Sequence, residues 1–189
     1  MPWWTYALIA LAILLIMPYI RFLFKRVILY FKLKSFCKRE QLIFHKTSML
    51  WWLGIKKHGA CNFYIEAQDC IYSVKLFPIL KRKSCLHFLE EQKFYTEKFL
   101  ILFGLYGGSA RFSFKSPIRT MGEIDFKYKF KKEWKEKMLI PILLFNPTCA
   151  SVKLKIKNNE QVIGDGDMVY NFYIFGLKGL MKKISNENQ

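Results

Sequence analysis

Acidic side chains are scarce in this chain: 14 Asp and Glu stand against 31 Lys and Arg, leaving a formal net charge of +17 on 189 residues. So few carboxylates leave little material for paired acid–base chemistry or for an oxygen-ligand metal site. The five cysteines, Cys37, Cys61, Cys70, Cys85 and Cys149, are odd in number and include no CxxC pair. They read as reduced, small buried side chains rather than a disulfide framework. A ligand set drawn from His58, Cys61, Cys70, Cys85 and His87 matches no zinc spacing, so neither a metal nor another cofactor is expected. Gly104-Leu105-Tyr106-Gly107-Gly108-Ser109 lacks the Lys-Ser/Thr of a Walker loop and the GxGxxG of a dinucleotide turn, and reads as a tight turn between strands. No Ser-His-Asp or Cys-His spacing has a supporting motif, so no catalytic residue is assigned and binding rather than catalysis is expected.

The first feature present is a run without charge. From Trp3 to Ile20 there is no ionisable Asp, Glu, Lys or Arg, and about 20 apolar residues at 1.5 Å each cross a ~30 Å hydrocarbon core. This predicts a single transmembrane helix over residues 1–21, with Leu14 and Leu15 near its middle. Trp3 and Trp4 at one end and Tyr19 at the other suit the two membrane interfaces. The bulky Met17-Pro18-Tyr19-Ile20-Arg21 stretch and the missing basic n-region argue against a cleaved leader. Arg21, Lys25, Arg26, Lys32, Lys34, Lys38 and Arg39 follow with no acid among them, predicting a basic juxtamembrane helix over 22–39. By the positive-inside rule the N-terminus would lie outside and residues 40–189 in the cytoplasm, making a single-pass protein of the cell membrane.

The rest reads as one α+β domain of mainly antiparallel strands closed by a C-terminal helix. Phe63-Tyr64-Ile65 and Ile71 to Phe77 are rich in β-formers and flank a turn at Ala67-Gln68-Asp69-Cys70, which predicts a hairpin. Met138 to Phe145 is short and nearly all apolar, as a strand buried on both faces would be. Val152-Lys153-Leu154-Lys155-Ile156-Lys157 alternates with period two. Met168 to Ile184 is expected to be helical with Asp167 as N-cap. Trp51-Trp52 is assigned to a core edge. Phe126-Lys127-Tyr128-Lys129-Phe130-Lys131 would send rings to one side of a strand and ammonium groups to the other, whereas stacking with nucleic acid needs both on one accessible face.

The basic surface is expected to comprise Arg21, Lys25 and Arg26 with the loop Lys81-Arg82-Lys83. Because an anchor would hold the domain at an anionic leaflet, the expected partner is the lipid bilayer through its anionic headgroups, with a protein or nucleic acid as the other candidates. No small-molecule substrate is identifiable. The leading expectation is thus a non-enzymatic membrane-tethered binding or accessory domain.

A second reading comes from spacing. Asn62…Ser73-Val74-Lys75 resembles the strand pair that carries the metal-binding acids in restriction-endonuclease-like nucleases, and a buried strand followed by a C-terminal helix is compatible with that fold. The resemblance implies a relative that binds nucleic acid without cutting it. Asn62 and Ser73 occupy both acidic positions, so metal binding would be lost and Lys75 alone retained.

Overall fold

The structure is a computed structural model. It describes residues 2–47, 61–77, 84–103, 109–120, 134, 136–146, 151–156 and 159–188, and of 7, 12, 14, 15, 18, 22, 99–103 and 109–111 the backbone only. The paired tryptophans, the Gly104–Ser109 turn, the Phe126–Lys131 alternation and the Lys81-Arg82-Lys83 loop lie wholly or partly outside the described residues, as do the side chains of Leu14 and Leu15.

Helix α1 (Trp3–Arg39) runs 37 residues without a break, about 55 Å at 1.5 Å per residue. Its two halves have different surroundings. In the second, Leu29, Leu33, Phe36 and Cys37 recur three or four residues apart and are buried, the stripe of a helix lying on a core. In the first, the large apolar side chains described, from Trp3 to Ile20, are exposed. The helix does not stop at Ile20, where an anchor would leave the bilayer, but continues through Arg21, Lys25 and Arg26 into the domain. Among the described residues no helix is long and apolar enough to cross a membrane. That finding overturns the predicted anchor, to which Trp3, Trp4, Leu14, Leu15 and Tyr19 were assigned, and with it the single-pass topology and cell-membrane location.

The strands follow in chain order: β1 (Ile43–Lys46), β2 (Phe63–Glu66), β3 (Cys70–Leu76), β4 (Ser84–Phe88), β5 (Lys93–Phe103), β6 (Ser109–Lys115), β7 (Arg119–Thr120), β8 (Met138–Phe145), β9 (Ser151–Ile156), β10 (Asn159–Ile163), β11 (Met168–Val169) and β12 (Phe172–Gly176). Helix α2 (Leu177–Glu187) closes the described chain. One sheet has the order β1-β2-β3-β8-β12-β11 and the other β10-β9-β4-β5-β6, with β7 pairing β5. The predicted β2–β3 hairpin is present and antiparallel, with Tyr64 opposite Ser73.

Both sheets are mixed, which corrects the mainly antiparallel expectation. β3 and β12 each run parallel to β8, and β4 runs parallel to β9. β8 is the centre of the first sheet, and its alternate residues serve two cores. Ile140, Ile142 and Leu144 join the α1 and α2 side chains. Leu143 and Phe145 join Leu86, Phe88, Val152 and Ile163 of the second sheet. The architecture is therefore helices, sheet, sheet, with a strand apolar on both faces in the middle layer. Pro141, which has no N–H to give, falls one residue before the β12 ladder begins at Ile142.

The C-terminal helix is shorter than expected. Met168 to Gly176 forms β11 and β12, and only from Leu177 is the chain helical. Phe172 to Gly176 is strand because it buries Ile174 and Phe175 on opposite sides of the first sheet beside β8; tertiary pairing overrides a period that reads equally well as helix. Asp167 accordingly is not an N-cap: its Oδ2 accepts the Gly164 N–H at 2.7 Å. Asp165 takes the helical role instead, its Oδ1 accepting the Gly176 N–H at 2.6 Å just ahead of α2.

Candidate functional site

The cations gather where α1 turns into β1. Helix α1 ends with Leu42 N–H donating to the Cys37 carbonyl at 2.8 Å and Gln41 N–H to Lys38 at 3.4 Å, while Gln41 sits at φ 58. This is a Schellman-type end with a left-handed residue after the cap, and it folds the chain back sharply. β1 then runs beside the second half of α1, with Phe44 edge-on to Tyr30 at 5.5 Å and tilted against Phe63 at 5.4 Å. Phe44 and Lys46 share a strand face by the two-residue period.

The result is a groove of about 710 Å³ lined by Tyr30, Phe31, Lys34, Lys38, Phe44 and Lys46, with Ser35, Cys37, Leu42 and Ile43. Among the described residues no carboxylate is in that lining. Between Arg21 and Lys46 the chain carries Arg21, Lys25, Arg26, Lys32, Lys34, Lys38, Arg39 and Lys46 against the single acid Glu40. Glu40 is engaged elsewhere, with Arg39 at 3.0 Å and with Ser185 Oγ, which donates to it at 3.1 Å from α2. Cys37, in the groove wall, is buried, and desolvation pushes its thiol up to about 12. It is therefore a protonated thiol rather than a nucleophile. Arg21 and Lys25 are exposed, whereas Arg26 is buried, and desolvation lowers its pKa. It belongs to the inner stripe of α1 and not to the surface.

Two histidine–carboxylate pairs lie outside the groove. On the first sheet His45 Nε2 lies 2.6 Å from Glu66 Oε2, and Lys137 Nζ donates to Glu66 Oε1 at 3.0 Å and to the Ala67 carbonyl at 2.9 Å. The Trp134 ring stands against both His45 and Tyr64, at 5.1 and 5.2 Å. Burial opposes ionisation of Glu66, but the hydrogen bonds with Lys137 and His45 outweigh it and hold the carboxyl below its ordinary value. Both Glu66 oxygens are thus occupied, and the cluster straps β1, the β2–β3 turn and the start of β8 together. On the second sheet His87 Nε2 lies 3.1 Å from Glu97 Oε2, its ring stacked on Tyr95 at 4.5 Å and 3°. Each pair could orient an imidazole as a base. In both, the histidine–carboxylate bond joins neighbouring strands. Among the described residues no three His, Cys, Asp or Glu side chains are grouped to hold a metal.

The residues singled out by the nuclease-like spacing are brought together but are spent on the fold. Asn62 Oδ1 accepts the Leu76 N–H at 2.8 Å, and its backbone N–H donates to Val74 at 2.9 Å. Ser73 is wholly buried with its Oγ 2.6 Å from Cys61 Sγ. Lys75 is half-buried at the register of Leu143. Asn62 therefore closes the hairpin end by bonding Leu76, and Ser73 is buried against Cys61. The groove was not assigned from sequence. Its signal, Phe31 with Lys34 and Lys38, is split between helical spacing and a strand beyond a turn, and only the fold joins them. No family model, curated protein or solved structure matches the chain.

Proposed function

We propose that the chain is a non-enzymatic binding domain that holds a phosphate-bearing polyanion on the basic face of α1 and β1. The observation that carries this reading is the charge imbalance from Arg21 to Lys46, where the one carboxylate faces α2 and the described groove lining has none. The case for lipid headgroups rested on an anchor beside the domain. Without it, a soluble phosphate polymer accounts for the same lysines.

The test is titration of the whole chain with a single-stranded oligonucleotide and with inorganic polyphosphate over a range of salt concentrations. Binding should weaken linearly in log–log form. Joint Lys34→Glu, Lys38→Glu and Lys46→Glu substitution should lower the oligonucleotide slope by about 2, at ~0.7 per contact. An unchanged slope, or anionic vesicles binding more tightly than either polymer, would overturn the reading.

A further inference from the structure

We infer that the α1–β1 groove takes single-stranded nucleic acid, with a base stacked on Phe31 and the sugar–phosphate backbone tracking Lys34, Lys38 and Lys46. This rests on the polyanion reading above and names the polymer.

A basic surface alone recognises any polyanion; a base is recognised only where a ring and cations share one accessible face. α1 supplies that arrangement. Phe31 is 62% exposed, although it is a large apolar side chain on the half of α1 that packs on the sheet. At roughly 100° per residue, Lys34 and Lys38 fall within about 60° of Phe31 around the helix, and Lys38 is ~10 Å further along it. The ring is supported from below: Tyr30 stands edge-on to Phe31 at 5.5 Å and Phe44 edge-on to Tyr30 at 5.5 Å, and Phe44 rests on the buried Phe63. The aromatic ladder therefore runs from the core to the groove lip, ending in a ring with a face to offer. β1 adds Lys46 on the opposite wall.

The geometry favours an unpaired strand over a duplex. To read bases, a helix must enter a major groove ~12 Å wide, and α1 is held along its inner face by the first sheet. A duplex would meet only the lysines, whereas a single strand presents π-faces to Phe31. An acidic peptide would satisfy the lysines and leave the exposed ring without a partner.

The experiment compares the full chain with its Phe31→Ala and Phe31→Tyr forms. Anisotropy titrations use oligo-dT, an abasic oligodeoxynucleotide of the same length, and poly-glutamate. Phe31 is exposed, so truncation should leave the fold intact, checked by an unchanged urea midpoint. Phe31→Ala should weaken oligo-dT binding about tenfold, leave abasic binding unchanged, and be rescued by Phe31→Tyr. Equal loss for both oligonucleotides, no loss for either, or poly-glutamate binding as tightly as oligo-dT would overturn the inference. If the abasic strand and polyphosphate bind with a salt slope that the lysine reversals reduce, the polyanion reading survives that failure. If no polyanion binds, both fall.

Discussion

Alanine at position 179 should destabilise this protein even though alanine normally favours a helix over glycine by about 1 kcal/mol. Gly179 is the third residue of α2, and the carboxylate of Asp165, from the turn after β10, lies against that first helical turn. A Cβ at residue 179 would fall 2.6 Å from Asp165 Cγ and 3.0 Å from its Cβ. The whole of a short side chain would have to move, not merely its tip. Moving it breaks the charge-assisted bond to Gly176 N–H, at about 1.5–3 kcal/mol. It also withdraws a negative charge from a helix N-terminus, at about 0.3–1 kcal/mol. Against the helix-propensity gain, the net loss is about 1–3 kcal/mol. The assay is equilibrium urea unfolding of the parent, Gly179→Ala, Asp165→Gly and the double variant, read as midpoints at constant slope; glycine at 165 is used because alanine would keep the Cβ that lies 3.0 Å from the new one. With Asp165 truncated there is nothing to displace, so Gly179→Ala should become neutral or stabilising by up to ~1 kcal/mol. The change of sign between backgrounds is the signature. Equal destabilisation in both, or stabilisation of the parent, would refute the reasoning.

Two further outcomes are expected. Glu66, held below its ordinary pKa, contributes stability above the unfolded carboxyl value of about 4.3 and loses it as pH falls through the lower folded value. Glu66→Gln should therefore lower the urea midpoint at pH 7 and flatten its fall below about pH 5; parallel pH profiles would show that the cluster holds no linked proton. The two halves of α1 should also respond differently to truncation. Leu33→Ala, at a side chain with no exposed surface, should cost about 2–5 kcal/mol, and Leu8→Ala, 56% exposed, within ~0.5 kcal/mol; similar losses would mean that the first half of α1 packs on the domain.

What the sequence determined by itself is local. The apolar run from Met138 to Phe145 marks a strand buried on both faces, because no polar residue interrupts either of its two-residue stripes. Turn residues between two β-rich runs mark the β2–β3 hairpin, where the partners are adjacent in the chain. The alternation of Val152 to Ile156 marks β9. What only the tertiary structure decided is which distant strands meet and what the polar residues then have to do. Three parallel pairings link strands separated by long stretches of chain, and no local period encodes a partner. Phe172 to Gly176 is a strand because β8 is there to pair with it, and Asp165 serves α2 because the fold brings it to the helix start. Asn62 and Ser73 carry a suggestive spacing, but their oxygens are consumed by the hairpin they belong to. Helical texture is legible both over Trp3 to Ile20 and over 22–39, but that the second half lies on the sheet through the stripe of Leu29, Leu33 and Phe36 is decided by the core it meets. The groove exists because a left-handed residue at Gln41 folds β1 back along α1, placing Lys46 and Phe44 opposite Lys34, Lys38 and Phe31. Side-chain type and period are properties of a few neighbouring residues, whereas a binding face is a property of segments that only burial and long-range pairing bring together.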